Sequence, residues 1–391
     1  MKILIITPDV YPYQKGYGGR NPVNLFQVFS RMGNDTTLVT SVPDRELRNS
    51  YSANLIELFE VVRLRTIGFA HTDLDYFSIP YIQDILRMRK MLFNINYDII
   101  ILNDYFWSLS FFSIILMGKR NRSRTIMINH GIISPNGRGS IYLFNVFSAI
   151  VSKVFIQQFK GILSYSRTSH AAISKIVKQY DRLYIHHSCI DSRQFSMDYE
   201  KSLSLPEAFI RNRFGFSGSF IFAIGAASPH KGYEHLIRAF SKLLKNHPDF
   251  LLVIAGQFTP YTEDLKILAK NLMIFDKVKL IGPISDEEKF FFQRKCSIFA
   301  IPSLSEGFGA GAMEADALQL KVVATDTGAH RDILANNRFA RIVVPGDDDE
   351  LYKGMNDLLS VREEPSRTLD MDKLGFYSCE SLVSYIISIA K

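Results

Sequence analysis

Three cysteines are spread through the 391 residues, Cys189, Cys296 and Cys379, with no C-x-x-C pair among them. That excludes a disulfide framework and a cysteine-rich zinc module. It fits a reducing compartment in which each thiol is a small buried hydrophobe. A long hydrophobic run is also missing. The greasiest stretch, Tyr105 to Met117, is broken by serines and falls short of the ~20 residues a bilayer requires. The apolar run Lys2–Thr7 is too short for a signal peptide, and Pro8-Asp9 ends it. No internal repeat, helix-turn-helix, zinc or RNP pattern is found, which argues against nucleic acid as a partner. The expectation is a cytoplasmic protein, soluble or peripheral at the inner face of a membrane.

What is present is an ordinary globular composition, 47% hydrophobic and 22% charged, in a chain long enough for two cores. The net charge of +7 is uneven. Residues 1–200 hold 23 Lys+Arg against 15 Asp+Glu, a net of +8, and the remainder holds 23 against 24, a net of −1. The densest cluster, Lys119, Arg120, Arg122 and Arg124, directly follows the Tyr105–Met117 stretch. An apolar helix followed by basic residues predicts a segment lying in an anionic membrane interface; a solvated basic loop is the plain alternative.

Short apolar runs alternate with helical stretches, which predicts βαβ units and parallel sheets. In the first half the runs are Lys2–Thr7, Thr36–Thr40, Asp98–Leu102 and Thr125–Asn129. In the second they are Phe220–Ile224, Phe250–Ala255, Val278–Ile281, Ile298–Ile301, Val322–Ala324 and Arg341–Val344. The polar segment Asp191–Pro206, without apolar periodicity, is the expected junction. The domains are set at 1–197 and 198–372, with a helix in 373–391 expected to pack back on the first.

Three glycine turns sit where a strand hands over to a helix. Gly18 and Gly19 precede a helical pattern from Pro22 to Met32, a weak phosphate cradle that lacks the last glycine of G-x-G-x-x-G. Gly225 opens a loop reaching Lys231-Gly232, where a lysine at a strand mouth serves as a point charge for a diphosphate or is simply a surface side chain. The third turn says most. Gly307, Gly309 and Gly311, with Ala310 between, open a helix after strand Ile298–Ile301, and Glu306 and Glu314 bracket it. Free N–H groups there suit phosphate, and a carboxylate is a bidentate acceptor for sugar hydroxyls. His130 closes the run Thr125–Asn129, where ligands of parallel sheets gather. Two D-x-D matches, Asp73/Asp75 and Asp370/Asp372, close no apolar strand and read as solvated charges.

Together these residues resemble glycosyltransferase family 4, retaining enzymes of the GT-B fold. The resemblance rests on Gly225 with Lys231-Gly232, on Ile254-Ala255-Gly256, and on Val278–Gly282. Most specific is Pro302-Ser303 with Glu306-Gly307-Phe308-Gly309 and Glu314-Ala315. It implies an α/β fold of two Rossmann-like domains whose parallel sheets face an interdomain cleft. Glu314 would then hold the donor's ribose, Glu306 the transferred sugar, Lys231 the diphosphate, and His130 the opposite reaction face. Gly18, Gly19, Gly225, Gly282, Gly309, Ala310 and Gly311 would line the donor site. The resemblance implies no metal and no cofactor beyond a nucleotide-diphosphate sugar. Partners would be that donor, a saccharide or lipid-diphosphate-linked acceptor, and an anionic membrane surface. Ala226 departs from the pattern, standing where an arginine is usual. Rival readings are a sugar-nucleotide epimerase of the same fold, a non-catalytic sugar-nucleotide binder and, more distantly, a dehydrogenase.

Overall fold

The computed structural model describes residues 1–7, 17–43, 61–69, 77–103, 108–129, 154–177, 180–187 and 190–391. The chain divides into two compact units, Met1–Ile190 with Ser378–Lys391, and Asp191–Tyr377.

The first unit is built on β1 (Lys2–Thr7), β2 (Asp35–Pro43), β3 (Val61–Phe69), β4 (Phe77–Pro80), β5 (Ile99–Asn103), β6 (Thr125–Asn129), β7 (Gly161–Ser164) and β8 (Leu183–Ile185). They form one sheet in the order β4-β3-β2-β1-β5-β6-β7-β8. Every pairing is parallel except β3 with the edge strand β4. All five residues of β5 and of β6 are buried, as continuous apolar runs covered on both faces must be. The second unit holds β9 (Phe220–Ile224), β10 (Leu251–Ala255), β11 (Val278–Gly282), β12 (Ile298–Ile301), β13 (Val322–Thr325) and β14 (Ala340–Val343). They run in the order β11-β10-β9-β12-β13-β14, all parallel.

The helices that bear on the site and surfaces are α1 (Tyr17–Arg31), α2 (Ile82–Asn94), α3 (Ser108–Leu116), α4 (Lys119–Arg122), α5 (Ser192–Leu203), α6 (Asp286–Lys295), α7 (Ala310–Ala317) and α8 (Cys379–Ala390). α6 starts with a capping box: the Ser285 hydroxyl accepts from the Glu288 amide, and Glu288 reaches back to the Ser285 amide. Three consecutive phenylalanines follow. At 100° per residue they point three ways, and all three are buried. Phe290 meets Phe195 of α5, Phe291 meets Phe209, and Phe292 stacks on Phe222 of β9 at 5.1 Å between ring centroids. So anchored on most of its circumference, α6 presents its remaining side, Lys289 and Gln293, with little freedom.

Four expectations are corrected. The segment Asp191–Pro206 is mostly α5, and it packs on α6; its buried positions Phe195, Asp198, Tyr199 and Ser202 have helical spacing, but two are polar, which hid the pattern. The units accordingly part at Ile190/Asp191 and Tyr377/Ser378, a few residues from 197/198 and 372/373. α1 begins at Tyr17, so Gly18 and Gly19 lie in its first turn rather than in a loop, and Pro22, the sixth residue, sits inside it past that turn, where it withholds one N–H from the helix. Most of the described part of the apolar stretch is committed to packing rather than to an interface: Leu109, Ile114 and Met117 belong to the core of the first unit, and Ile115 is exposed. Of the basic cluster that follows it, Arg122 donates to the Met117 carbonyl and Gln158, and Arg124 to the Tyr97 carbonyl. Only Lys119 and Arg120 of the four are exposed.

Candidate active site

The carboxyl ends of β9, β10 and β11 close on three glycines in a row. The Gly225 amide donates to the Ala255 carbonyl at 2.9 Å, and the Gly256 amide to the Gly282 carbonyl at 2.8 Å. A methyl group on Gly256 would stand 1.9 Å from the Gly225 carbonyl oxygen, and its φ is +145°. Only glycine fits there. The row leaves a shallow floor over which the Lys231 chain passes, its Cε 3.4 Å from where a Gly225 methyl would be. Tyr233, buried beneath, donates its hydroxyl to the Gly225 carbonyl at 3.2 Å.

Lys231 is aimed by the loop it ends. Pro229–Lys231 is one 3-10 turn closed by Gly232, whose φ of +66° brings the backbone against Pro302. The Leu304 amide donates to the His230 carbonyl at 2.8 Å, so the loop after β9 is fastened to the loop after β12. Lys231 Nζ then meets Glu306 Oε1 at 2.6 Å, and the Ser303 hydroxyl donates to the same oxygen at 2.7 Å. Burial would raise the Glu306 carboxyl, but Lys231 and Ser303 prevail and hold it below its ordinary value of 4.5. It is therefore an ionised acceptor at neutral pH. One ammonium proton is committed to it, leaving the others for a second anion.

Gly309 caps α7 in a left-handed conformation, φ +102°. The His330 ring occupies the space beside it: a methyl group at 309 would lie 2.3 Å from His330 Nε2. His330 Nδ1 bonds the Thr325 carbonyl at 2.8 Å, which makes Nδ1 the protonated nitrogen, and burial lowers the affinity of the ring for a second proton. By helix geometry the amides of Ala310 and Gly311 have no intrahelical acceptor and face out of the turn. A methyl at Gly311 would meet Ile301 and Phe299 only at ordinary contact distance, so Gly309 is the glycine the turn requires.

One turn into α7, Glu314 accepts from Lys289 Nζ at 2.6 Å and from Gln293 Nε2 at 2.9 Å, two positions one turn apart on anchored α6, with Gln293 buried and Lys289 nearly so. Burial opposes the charge on Lys289, yet Glu314 and Asp286 keep it protonated to above its ordinary 10.5. Sequence reasoning missed Lys289, Gln293, Ser303 and His330. An i, i+4 pair directly after a capping box was a readable signal for the first two.

The structure thus brings Gly225, Lys231, Glu306, Gly309, Ala310 and Gly311 together at the carboxyl edge of the second sheet, with Gly282 and Glu314 on flanking elements. Gly18 and Gly19 belong to the first unit, and His130 lies outside the described residues. Asp370 of the second D-x-D caps a helix, accepting from the Asp372 and Lys373 amides; Asp73 and Asp75 lie outside the described residues. Among the described residues no group of His, Cys, Asp and Glu is placed to hold a metal ion.

This architecture is that of the two-domain α/β glycosyltransferases. A glycosyltransferase from Rickettsia africae superposes over 100% of this chain and 94% of its own, with a TM-score of 0.69 at 17% identity. Residues 208–370, which include every site residue of the second unit, match the family of glycosyl transferases group 1. Mannosylfructose-phosphate synthase of Agrobacterium fabrum is 34% identical over 149 residues, 36% of this chain and 33% of its own length. A Campylobacter jejuni N-acetylgalactosamine-N,N'-diacetylbacillosaminyl-diphospho-undecaprenol 4-alpha-N-acetylgalactosaminyltransferase is 24% identical over 300 residues, 73% of each chain. No helix among the described residues is long and apolar enough to cross a membrane.

Proposed function

We propose that the protein is a retaining glycosyltransferase of the family 4 type, moving a hexose-type sugar from a nucleotide-diphosphate sugar to a saccharide acceptor. The observation that carries this reading is the fastening of Lys231 to Glu306 beside the open amino end of α7. A cation, two amides and an ionised carboxylate converge where a sugar diphosphate has complementary groups. The Lys231 ammonium and the Ala310 and Gly311 amides receive the diphosphate. Glu306 accepts from hydroxyls of the transferred sugar, and Glu314 exchanges Lys289 or Gln293 for the ribose hydroxyls. The family resemblance assigns His130, which lies outside the described residues, to catalysis.

As the glycosidic bond to the diphosphate breaks, negative charge grows on the leaving oxygen, where the ammonium and helix end stabilise it. That oxygen takes the proton of the incoming acceptor hydroxyl as the new bond forms on the same face. No protein nucleophile or metal is then called for. The acceptor is a lipid-diphosphate-linked saccharide of surface polysaccharide synthesis, a reading supported by the diphospho-undecaprenol in the name of the Campylobacter relative. The protein works from the cytoplasm, held peripherally at the membrane.

Thermal stabilisation against a panel of UDP-, GDP- and ADP-sugars, with a Glu314→Gln variant alongside, tests the reading. One nucleotide sugar should raise the melting temperature, and the variant should lose most of that shift. A folded protein that ignores every donor overturns the proposal, and product formed from donor without acceptor replaces it by an epimerase.

A further inference from the structure

α2 carries two apolar faces. Met88 and Leu92 go to the core. On the opposite side Ile82, Leu86 and Phe93 are 68%, 57% and 65% exposed. At 100° per residue these three fall within about 40° of one another, with Arg89 between them on the same stripe. Lys90 and, further round, Arg87 stand to one side of it, both exposed. The single acidic residue of the helix, Asp84, is buried on the other side.

The stripe continues onto the turn between α3 and α4. The Phe93 ring packs on Gly118, 3.6 Å from where a methyl there would be. Beside it opens a cavity of about 710 Å³ lined by Arg89, Phe93, Ile115, Lys119 and Arg122 among others. Ile115 of α3 is exposed here, and Lys119 and Arg120 stand at the rim. Arg122 is fixed rather than solvated: its two terminal nitrogens bond Met117 and Gln158, its plane covers Phe155, and its buried Nε has no partner. Gly118 and Gln158 precede β6 and β7, so the cavity lies at the amino ends of the strands, away from the carboxyl edge at which ligands of such sheets gather.

We infer that this face, the outer stripe of α2 with the α3–α4 turn, is a docking surface for an anionic phospholipid membrane, with lipid phosphate entering the cavity between Arg89, Lys119 and Arg122. Exposed aromatic and aliphatic side chains set among cations, with no exposed carboxylate on these helices, are the chemistry of an interfacial segment. A protein partner helix would bring acidic side chains one by one; a bilayer presents a continuous anionic plane, which suits a stripe and rim of this length. The inference rests on the proposed peripheral location but not on the identity of donor or acceptor.

Co-sedimentation of the full chain with vesicles separates it from that reading. Vesicles of phosphatidylcholine alone and of phosphatidylcholine with phosphatidylglycerol contain no saccharide acceptor. The chain should pellet with the second and not the first, and salt should release it. Each basic side chain near such a surface is worth about 1 kcal/mol, or about fivefold, so Lys119→Glu with Arg120→Glu should weaken partition by on the order of tenfold or more. Phe93→Ser should weaken it at unchanged charge, which an electrostatic patch alone would not show. Lys245→Glu with Lys353→Glu, on exposed positions of the second unit, should leave partition unchanged. Equal loss in that control pair, or no pelleting with either vesicle, overturns the inference. A solution dimer abolished by Phe93→Ser, without vesicle binding, assigns the face to a second copy instead.

Discussion

Lys231 Nζ lies 2.6 Å from Glu306 Oε1, tying the loop after β9 to the loop after β12 at the carboxyl edge of the second sheet. The pair is largely buried, with side-chain exposures of 25% and 16%. Its two halves should fail differently. Lys231→Met strands a buried carboxylate, costing about 3 kcal/mol of stability, and removes a charge-assisted bond worth about 2 kcal/mol, so donor affinity drops about thirtyfold. Glu306→Gln keeps the shape and should leave donor affinity within a few-fold while turnover falls by on the order of a hundredfold. Calorimetric donor titrations with initial rates check this, and equal loss of affinity in both variants speaks against the assigned roles.

Two glycines of the site invite opposite results. Gly256→Ala drives a methyl into the Gly225 carbonyl, backbone against backbone, and should cost about 3 kcal/mol or more. Gly311→Ala enters a helical position with room for it and should change stability by at most about 1 kcal/mol, in the favourable direction. Thermal or urea melts decide. A tolerated Gly256→Ala would mean the three-strand row is not closed as described.

His330 makes stability sensitive to acid. Burial lowers its folded value below its ordinary 6.5, so between 6.5 and that lower value the unfolded chain binds a proton the folded one does not. Stability should fall as pH drops through this window and stop responding to this group below it. His186 and His230 are lowered too, chiefly by burial, so His330→Phe should remove part of the acid slope, not all. Chemical melts at stepped pH check it; an unchanged slope excludes His330 as a contributor.

Lys289 supplies the opposite limb. Raised above 10.5 by Glu314 and Asp286, it contributes stability that is fully present below 10.5 and lost as pH rises through its folded value. Lys289→Met should be less stable at neutral pH by about 3 kcal/mol, because Glu314 loses its partner, and the difference should narrow in strong alkali. A gap constant across the alkaline range would show that packing, not charge, explains the loss.

The second unit was legible almost strand by strand because its strands are short and mostly apolar, with β10 and β12 buried from end to end and only β11 and β14 carrying a charge, Lys279 and Arg341. The first was not. β3 mixes Arg63 and Arg65 into its apolar run, β4 is a four-residue antiparallel edge, and β7 begins with a glycine. That glycine is required because a methyl at 161 would stand 2.7 Å from the Tyr184 ring, a fact of packing invisible in one dimension. Glu306, Glu314 and Lys231 were found from their motif. The partners of Glu314 were not, since Lys289 and Glu314 are joined across α6 and α7, nor was the His330–Gly309 contact, which joins the amino ends of two helices.

α8 has a consequence for the order in which the molecule can be completed. It belongs to the first unit, where it packs on α1, and Ile389 comes within reach of Gly161. Yet the whole second unit is translated before it. A growing chain therefore has all the sequence of the second unit in hand while the first still lacks a wall, with the apolar side of α1 open to chaperones and to other nascent chains. The first unit is closed only after the second has been translated, and a stop codon placed at Ser378 would damage the first unit while leaving the sequence of the second whole.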